Sequence, residues 1–166
     1  MISPLSGLLV RPLTPSDASF LPEALYRALY TTAKEAPLSR DVLLLPELAR
    51  YIDGWGQRFG DQGMLALKDQ GYFLGAAWLR LFSHETPGYG YVDDLTPELC
   101  VSVLPEWRGC GIGTRLLVAA LEQAQRQFPA VSLSVTPGNP SQRLYERLGF
   151  EVVHATPHEI TMRLAF

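Results

Sequence analysis

Residues Glu98 to Leu117 read ELCVSVLPEWRGCGIGTRLL, and the rhythm of the sequence changes twice within them. Glu98 to Leu104 predicts a strand. From about Ile112 to Phe128, Leu117, Ala120, Leu121, Ala124 and Phe128 recur at helical spacing and predict a helix with one buried stripe. Beyond it, Val131, Leu133 and Val135 alternate with Ser132 and Ser134, which predicts a strand with one apolar face. A helix that joins two neighbouring strands in this order makes them parallel. Between strand and helix, Gly109, Gly111 and Gly113 occupy alternate positions. Without Cβ atoms there, backbone can approach a ligand closely. The first N–H groups of a helix have no partner within it and lie at its positive end, so this turn suits a phosphate, and Arg108 adds a guanidinium fork. Two other phosphate loops are excluded. There is no Gly-Lys pair for a Walker loop, and the third glycine comes one residue early for the dinucleotide fingerprint.

Outward from this turn the chain reads as one α/β domain spanning 1–166. Gly7 to Leu13 predicts a first strand. Ser16-Asp17 then offers an N-cap for a helix to about Tyr30, and a second helix starts near Pro46 and stops near Gly54-Trp55-Gly56. The stretch 31–45 between them is ambiguous. Residues 64–68 and 72–82 predict two strands joined by a tight turn, followed by a long loop over 83–97 of the kind that often carries function. Asn139-Pro140-Ser141-Gln142 predicts a helix start in which Asn caps, Pro takes the first helical position and Gln reaches back. Gly149 in a left-handed conformation ends that helix, with Phe150 folding onto its last turn. Residues 151–154 and 159–164 close the chain as two strands of a mixed sheet.

Composition narrows the partners. The chain has 166 residues, a net charge of -3 and no Lys/Arg run, which argues against a nucleic-acid duplex. Cys100 and Cys110 lack CxxC spacing and a nearby histidine, so no metal site is expected, and a reduced cytoplasmic protein is a simpler reading than a disulfide. Met1 to Val10 carries no basic region before an apolar run, so no signal peptide is expected. No stretch is long enough to span a membrane.

The segment 98–117 resembles the signature of the GNAT superfamily of N-acetyltransferases, whose pattern Arg/Gln-x-x-Gly-x-Gly/Ala is met by Arg108, Gly111 and Gly113. Asn139-Pro-Ser-Gln-Arg-Leu-Tyr-Glu-Arg-Leu-Gly-Phe150 resembles the family's Asn-to-Tyr helix followed by Gly-Phe. The family often has Ala where Ser141 stands. This resemblance is strong over about 98–154. It implies a GNAT-like fold, a mixed and mostly antiparallel sheet with one splayed parallel strand pair flanked by helices. Acetyl-coenzyme A would lie in the splay. Backbone groups of Val101, Ser102 and Val103 would pair with pantetheine amides. The amides of Arg108, Gly109, Cys110, Gly111, Ile112, Gly113 and Thr114 would wrap the pyrophosphate. Asn139 would cap its helix and secondarily touch the cofactor.

The implied reaction needs a neutral amine, stabilisation of an oxyanion and a proton for the departing thiolate. A backbone N–H near Val103 is the implied oxyanion donor. Tyr145 matches the tyrosine that faces the cofactor sulfur and is the candidate acid; the alternative is a packing tyrosine. Glu98 is the candidate base; the alternative is a solvated charge at a strand end. The acceptor is read as a primary amine of a small molecule or peptide. Its pocket would be built from about 26–58 and 83–97, where Tyr26, Tyr30, Tyr51, Trp55, Glu85, Tyr89, Tyr91, Asp93 and Asp94 suit a cation, or else serve core and turns. Two further readings follow: a non-catalytic sensor of acyl-coenzyme A, and a homodimer formed through exposed edge strands near the C-terminus.

Overall fold

The computed structural model describes residues 3, 5–32 and 34–166. Met1, Ile2 and Pro4, part of the stretch read above for a leader, lie outside them, as does Ala33 in the ambiguous segment. The strands are β1 (Leu8–Pro12), β2 (Gln62–Lys68), β3 (Tyr72–Arg80), β4 (Glu98–Val103), β5 (Ala130–Val135), β6 (Glu151–Ala155) and β7 (Ile160–Ala165). The α-helices are α1 (Leu21–Ala28), α2 (Pro46–Ala49), α3 (Ile112–Ala124) and α4 (Ser141–Arg147). The seven strands form one sheet in the order β1-β2-β3-β4-β5-β7-β6. Among these pairings β4–β5 is parallel and the others antiparallel, as a mixed α/β sheet requires.

The sheet separates two cores. On one face Leu74, Ala77, Leu79, Leu99 and Val103 pack under α3 and α4, against Leu116, Leu117, Ala120, Tyr145 and Phe150. On the other, Leu65, Leu67, Ala76 and Trp78 pack under α1 and the α2 region, against Leu21, Leu25, Leu48, Tyr51 and Trp55. Each such fully buried aliphatic side chain contributes about 1.5–3 kcal/mol relative to exposure. The expected stripe of Leu117, Ala120, Leu121, Ala124 and Phe128 is buried, but α3 ends at Ala124 and Phe128 lies just past the turn that follows it. β6 is the edge strand opposite β1, exposed along its length, with Val152 and Val153 on its surface.

Several local expectations are corrected. The first helix does not run unbroken from Asp17 to Tyr30. A 3-10 turn over Pro15–Phe20 precedes α1, because Pro22 has no N–H to donate back into that turn. Thr14, not Ser16, is the cap: its N–H and hydroxyl both donate to Asp17 Oδ2, at 2.9 Å each. Asp17 also takes both Nη atoms of Arg11, at 2.7 and 2.8 Å, which holds its carboxyl far below the usual range. α2 stops at Ala49 and continues as turns. The carbonyls of Arg50 and Asp53 are taken instead by the buried guanidinium of Arg80, which also pairs with Asp61. At α4, Asn139 Oδ1 accepts from the Ser141 N–H at 2.9 Å as expected of a cap, but Pro140 precedes the helix and Gln142 donates forward to Glu146. Gly149 has φ 100°, and the Phe150 N–H returns to the Tyr145 carbonyl at 3.0 Å.

Candidate active site

β4 and β5 pair only once, at Glu98–Ser132, and then separate. Helix α3 enters from the far end of β4, so the gap opens beside its N-terminus. Which backbone groups face the gap follows from the ladder on the other side. The Leu104 N–H donates to the Leu74 carbonyl at 2.8 Å, so Leu104 and Leu74 form a hydrogen-bonded antiparallel pair. Alternation then turns the N–H and C=O of Val103, and of Val101 two residues back, towards β5. Their partner strand has already diverged there. Arg108 Nε takes the Val103 carbonyl at 3.0 Å.

A cleft of about 720 Å³ opens from this gap, lined by Val101, Ser102, Val103, Arg108, Gly109, Gly111, Gly113, Thr114, Asn139 and Tyr145 of the residues expected from the sequence. Its opposite wall is the C-terminal part of α1 and the segment after it, including Tyr26, Arg27 and Tyr30. Gly109 and Gly111 have φ of 74° and 85°, and a Cβ on either would meet no atom within 4 Å. They are therefore required by conformation, and the space beside them is open. A Cβ on Gly113 would sit 3.7 Å from Val103 Cγ2, an ordinary contact.

Two of the expected residues contribute no side chain to the cleft. Ile112 is a core residue, 1% exposed, which anchors the first turn of α3. Cys110 packs partly against the same core, with its thiol beside the Arg108 carbonyl at 3.6 Å. Both cysteines are free. Arg108 is not simply a fork held out to phosphate. Besides the Val103 carbonyl, its Nη2 donates to the Arg27 carbonyl at 3.1 Å, so it ties the end of β4 to the last turn of α1. Ser102 makes a second tie from β4 to α1, its hydroxyl donating to the Ala24 carbonyl at 2.6 Å.

Tyr145 lies on α4, buried to 8% exposure, with its ring edge-on to Phe150 at 6.0 Å. It both packs and lines the cleft. Burial pushes its phenol up to about 12, so it holds its proton throughout the neutral range.

Glu98 is not a solvated strand end. It is 3% exposed, on the α1–α2 side of the sheet, and does not line the cleft. Its Oε1 accepts from the Tyr51 hydroxyl at 2.6 Å and the Gly90 N–H at 3.0 Å, while Oε2 has no partner among the described residues. Burial is the main cause that pushes this carboxyl up to about 7, and the two donors act against it. Within the loop, Asp93 and Asp94 do local work. They accept from the Leu95 and His84 N–H groups at 2.9 Å each, and Asp94 also takes the Tyr91 hydroxyl. Trp55 is a core residue. The contact between Tyr51 and Glu98 joins residues 47 positions apart, and no local pattern announces it.

The Acetyltransferase (GNAT) family matches over residues 24–150, which spans the cleft, the glycine turn and α4. The chain belongs to the GNAT acetyltransferase family. Among curated proteins it is similar to the mycothiol acetyltransferases of Arthrobacter sp. (strain FB24) and Paenarthrobacter aurescens (strain TC1). Identity is 34% over 104 and 109 residues, covering 61% of this chain. The chain matches 30% of the length of each of those relatives. Its fold is shared with a GNAT-family acetyltransferase from Streptococcus pneumoniae, with 20% identity and a TM-score of 0.64 over 96% of this chain and 99% of the other. It is also shared with an N-acetyltransferase from Staphylococcus aureus Mu50, with 18% identity and a TM-score of 0.66 over 95% and 98%.

Proposed function

We propose that this chain is an N-acetyltransferase that moves the acetyl group of acetyl-coenzyme A to a primary amine of a small molecule or peptide. The observation that carries this reading is the parting of β4 from β5 beside a glycine turn at a helix N-terminus, with the Val101 and Val103 amides turned into the gap. Structures of the same fold include yncA from Salmonella typhimurium, described with its cofactor acetyl-CoA (21% identity, TM-score 0.62), and the PaiA N-acetyltransferase of Thermoplasma acidophilum, described in complex with coenzyme A (17%, 0.63).

The residues fit such a molecule. The strand edge offers N–H and C=O groups to an amide-bearing arm, and the turn at Gly109–Thr114 offers amides to a diphosphate. The bound thioester would supply an activated acyl carbon. The Val103 N–H, which faces the gap, would meet the negative charge that develops on the carbonyl oxygen as the amine attacks. Tyr145 would give its phenolic proton to the departing sulfur and regain one from solvent. Glu98 is remote from the cleft lining, so it accepts the amine proton through water. Its elevated carboxyl can hold that proton near neutral pH.

The test is thiol release from acetyl-coenzyme A with a panel of primary amines: ethanolamine, tyramine, spermidine and lysine-containing peptides. At least one should be acetylated. Tyr145→Phe should lower turnover on it about 10²-fold or more while coenzyme A affinity stays within twofold. Coenzyme A binding without thiol release from any amine would favour a sensor.

A further inference from the structure

We propose that Tyr51 is a positioning residue for Glu98: held in place by the Tyr89 N–H, its hydroxyl joins the Gly90 N–H in binding one carboxylate oxygen and reserves the other for the proton. This rests on the reading of Glu98 as proton acceptor.

The geometry is one-sided. Both donors reach Oε1, and Oε2 receives none from the described residues. The Tyr51 hydroxyl is itself fixed, because it accepts from the Tyr89 N–H at 2.7 Å while donating to Glu98. Its ring is 4% exposed, edge-on to Phe82 at 4.9 Å and stacked with Tyr89 at 6.5 Å, and its carbonyl takes the Trp78 indole at 3.1 Å. A phenol held from every side has little freedom to leave the carboxylate.

Two glycines admit the loop to this place. A Cβ on Gly90 would lie 2.6 Å from the Leu133 carbonyl carbon and 2.7 Å from the Ser134 nitrogen, so only glycine lets that residue rest on β5. A Cβ on Gly88 would lie 2.1 Å from Glu98 Oε2. The unbound oxygen therefore occupies space that any other residue at position 88 would take. A carboxylate serving only to hold the loop would gain from donors on both oxygens; here both donors converge on Oε1. Of the other titratable groups, Glu159, before β7, raises Glu98 through its charge, and Cys100, on the same strand, has its own thiol raised by burial and by the Glu98 charge. Tyr51 opposes that rise by stabilising the charged form.

The test reads the Glu98 carboxyl directly, by 13C NMR titration of the full chain, with the resonance assigned from its loss in Glu98→Gln. Tyr51→Phe keeps the ring and removes the donor, and should move the midpoint to higher pH by about one pH unit. Placing 3-fluorotyrosine at position 51 makes a stronger donor in the same fold, and should move the midpoint the other way. Midpoints unmoved in both overturn the positioning role. The underlying reading is tested separately by acetylation of the best amine of the panel. If Glu98→Gln retains full turnover, Glu98 is not the proton acceptor, whatever the titration shows.

Discussion

Glu98 shows how burial gives a carboxylic acid a property that its place in the sequence hides. At the start of a strand a charged group is ordinarily solvated. Here β4 begins beneath the 83–97 loop, and Gly88 and Gly90 bring that loop down onto the carboxyl. The consequence can be measured without any substrate. An acid whose folded value is about 7 against an ordinary 4.5 binds its proton more tightly in the folded chain. Between those values the unfolded chain has released the proton and the folded chain has not, so stability falls as pH rises, and above about 7 the full loss is present. That loss is on the order of 3 kcal/mol. Glu98→Gln keeps an acceptor for Tyr51 and Gly90 and cannot titrate. Chemical denaturation of the two proteins from pH 5 to 8 should show the variant gaining steadily on the parent up to about pH 7, then running parallel. Asp17 contributes with the opposite sign. Its lowered carboxyl stabilises above the unfolded range and loses that effect in acid, so the comparison belongs above pH 5.

The glycine turn was the most legible element, because each cue in it is local. Alternating glycines after a strand, followed by a helical stripe, left few alternatives, and α3 starts at Ile112 as the spacing predicts. What the sequence withheld was long-range satisfaction of backbone groups. The Arg50 and Asp53 carbonyls are claimed by Arg80 from another strand, which ends α2 early, and Arg108 is drawn onto the Val103 and Arg27 carbonyls. Periodicity carries no information about such partners. Within the turn, two glycines that look alike in sequence have different reasons to be there. Gly111 sits at φ 85°, so Gly111→Ala should cost about 1–2 kcal/mol of stability through the left-handed backbone. Gly113 is helical without positive φ, and its Cβ would make only an ordinary contact at the edge of the cleft. Gly113→Ala should leave thermal stability unchanged or slightly raised. If the turn binds coenzyme A, the added methyl should still weaken that binding at least several-fold by isothermal calorimetry. Equal affinity in Gly113→Ala would place the ligand elsewhere.

The order of strands sets a single gap beside both faces of the sheet. β4 carries Val101 and Val103 among residues that face α3 and α4, and Glu98 and Ser102 on the face of α1 and the 83–97 loop. Glu98 lies outside the cleft lining, on the other face of the sheet at the closed end where β4 still pairs with β5, while Tyr145 lines the gap between β4 and β5. Its walls are α1 and the α3–α4 face, joined across β4 by the Ser102–Ala24 and Arg108–Arg27 hydrogen bonds. A ligand that touches both walls therefore bridges the two cores, and its binding energy adds to the stability of the fold. Coenzyme A at a hundred times its dissociation constant should contribute about 2.7 kcal/mol. For a chain of this size that is a rise in melting temperature of about 5–10 °C. Arg108→Ala removes the tie to α1 and should lower the melting temperature of the free protein by itself, which loss of a phosphate contact alone would not do. In that variant the rise with coenzyme A should shrink as well, because the wall that Arg108 holds is part of the cleft. A free-protein melting temperature equal to the parent's would show that the guanidinium spends its hydrogen bonds on ligand rather than on the Val103 and Arg27 carbonyls.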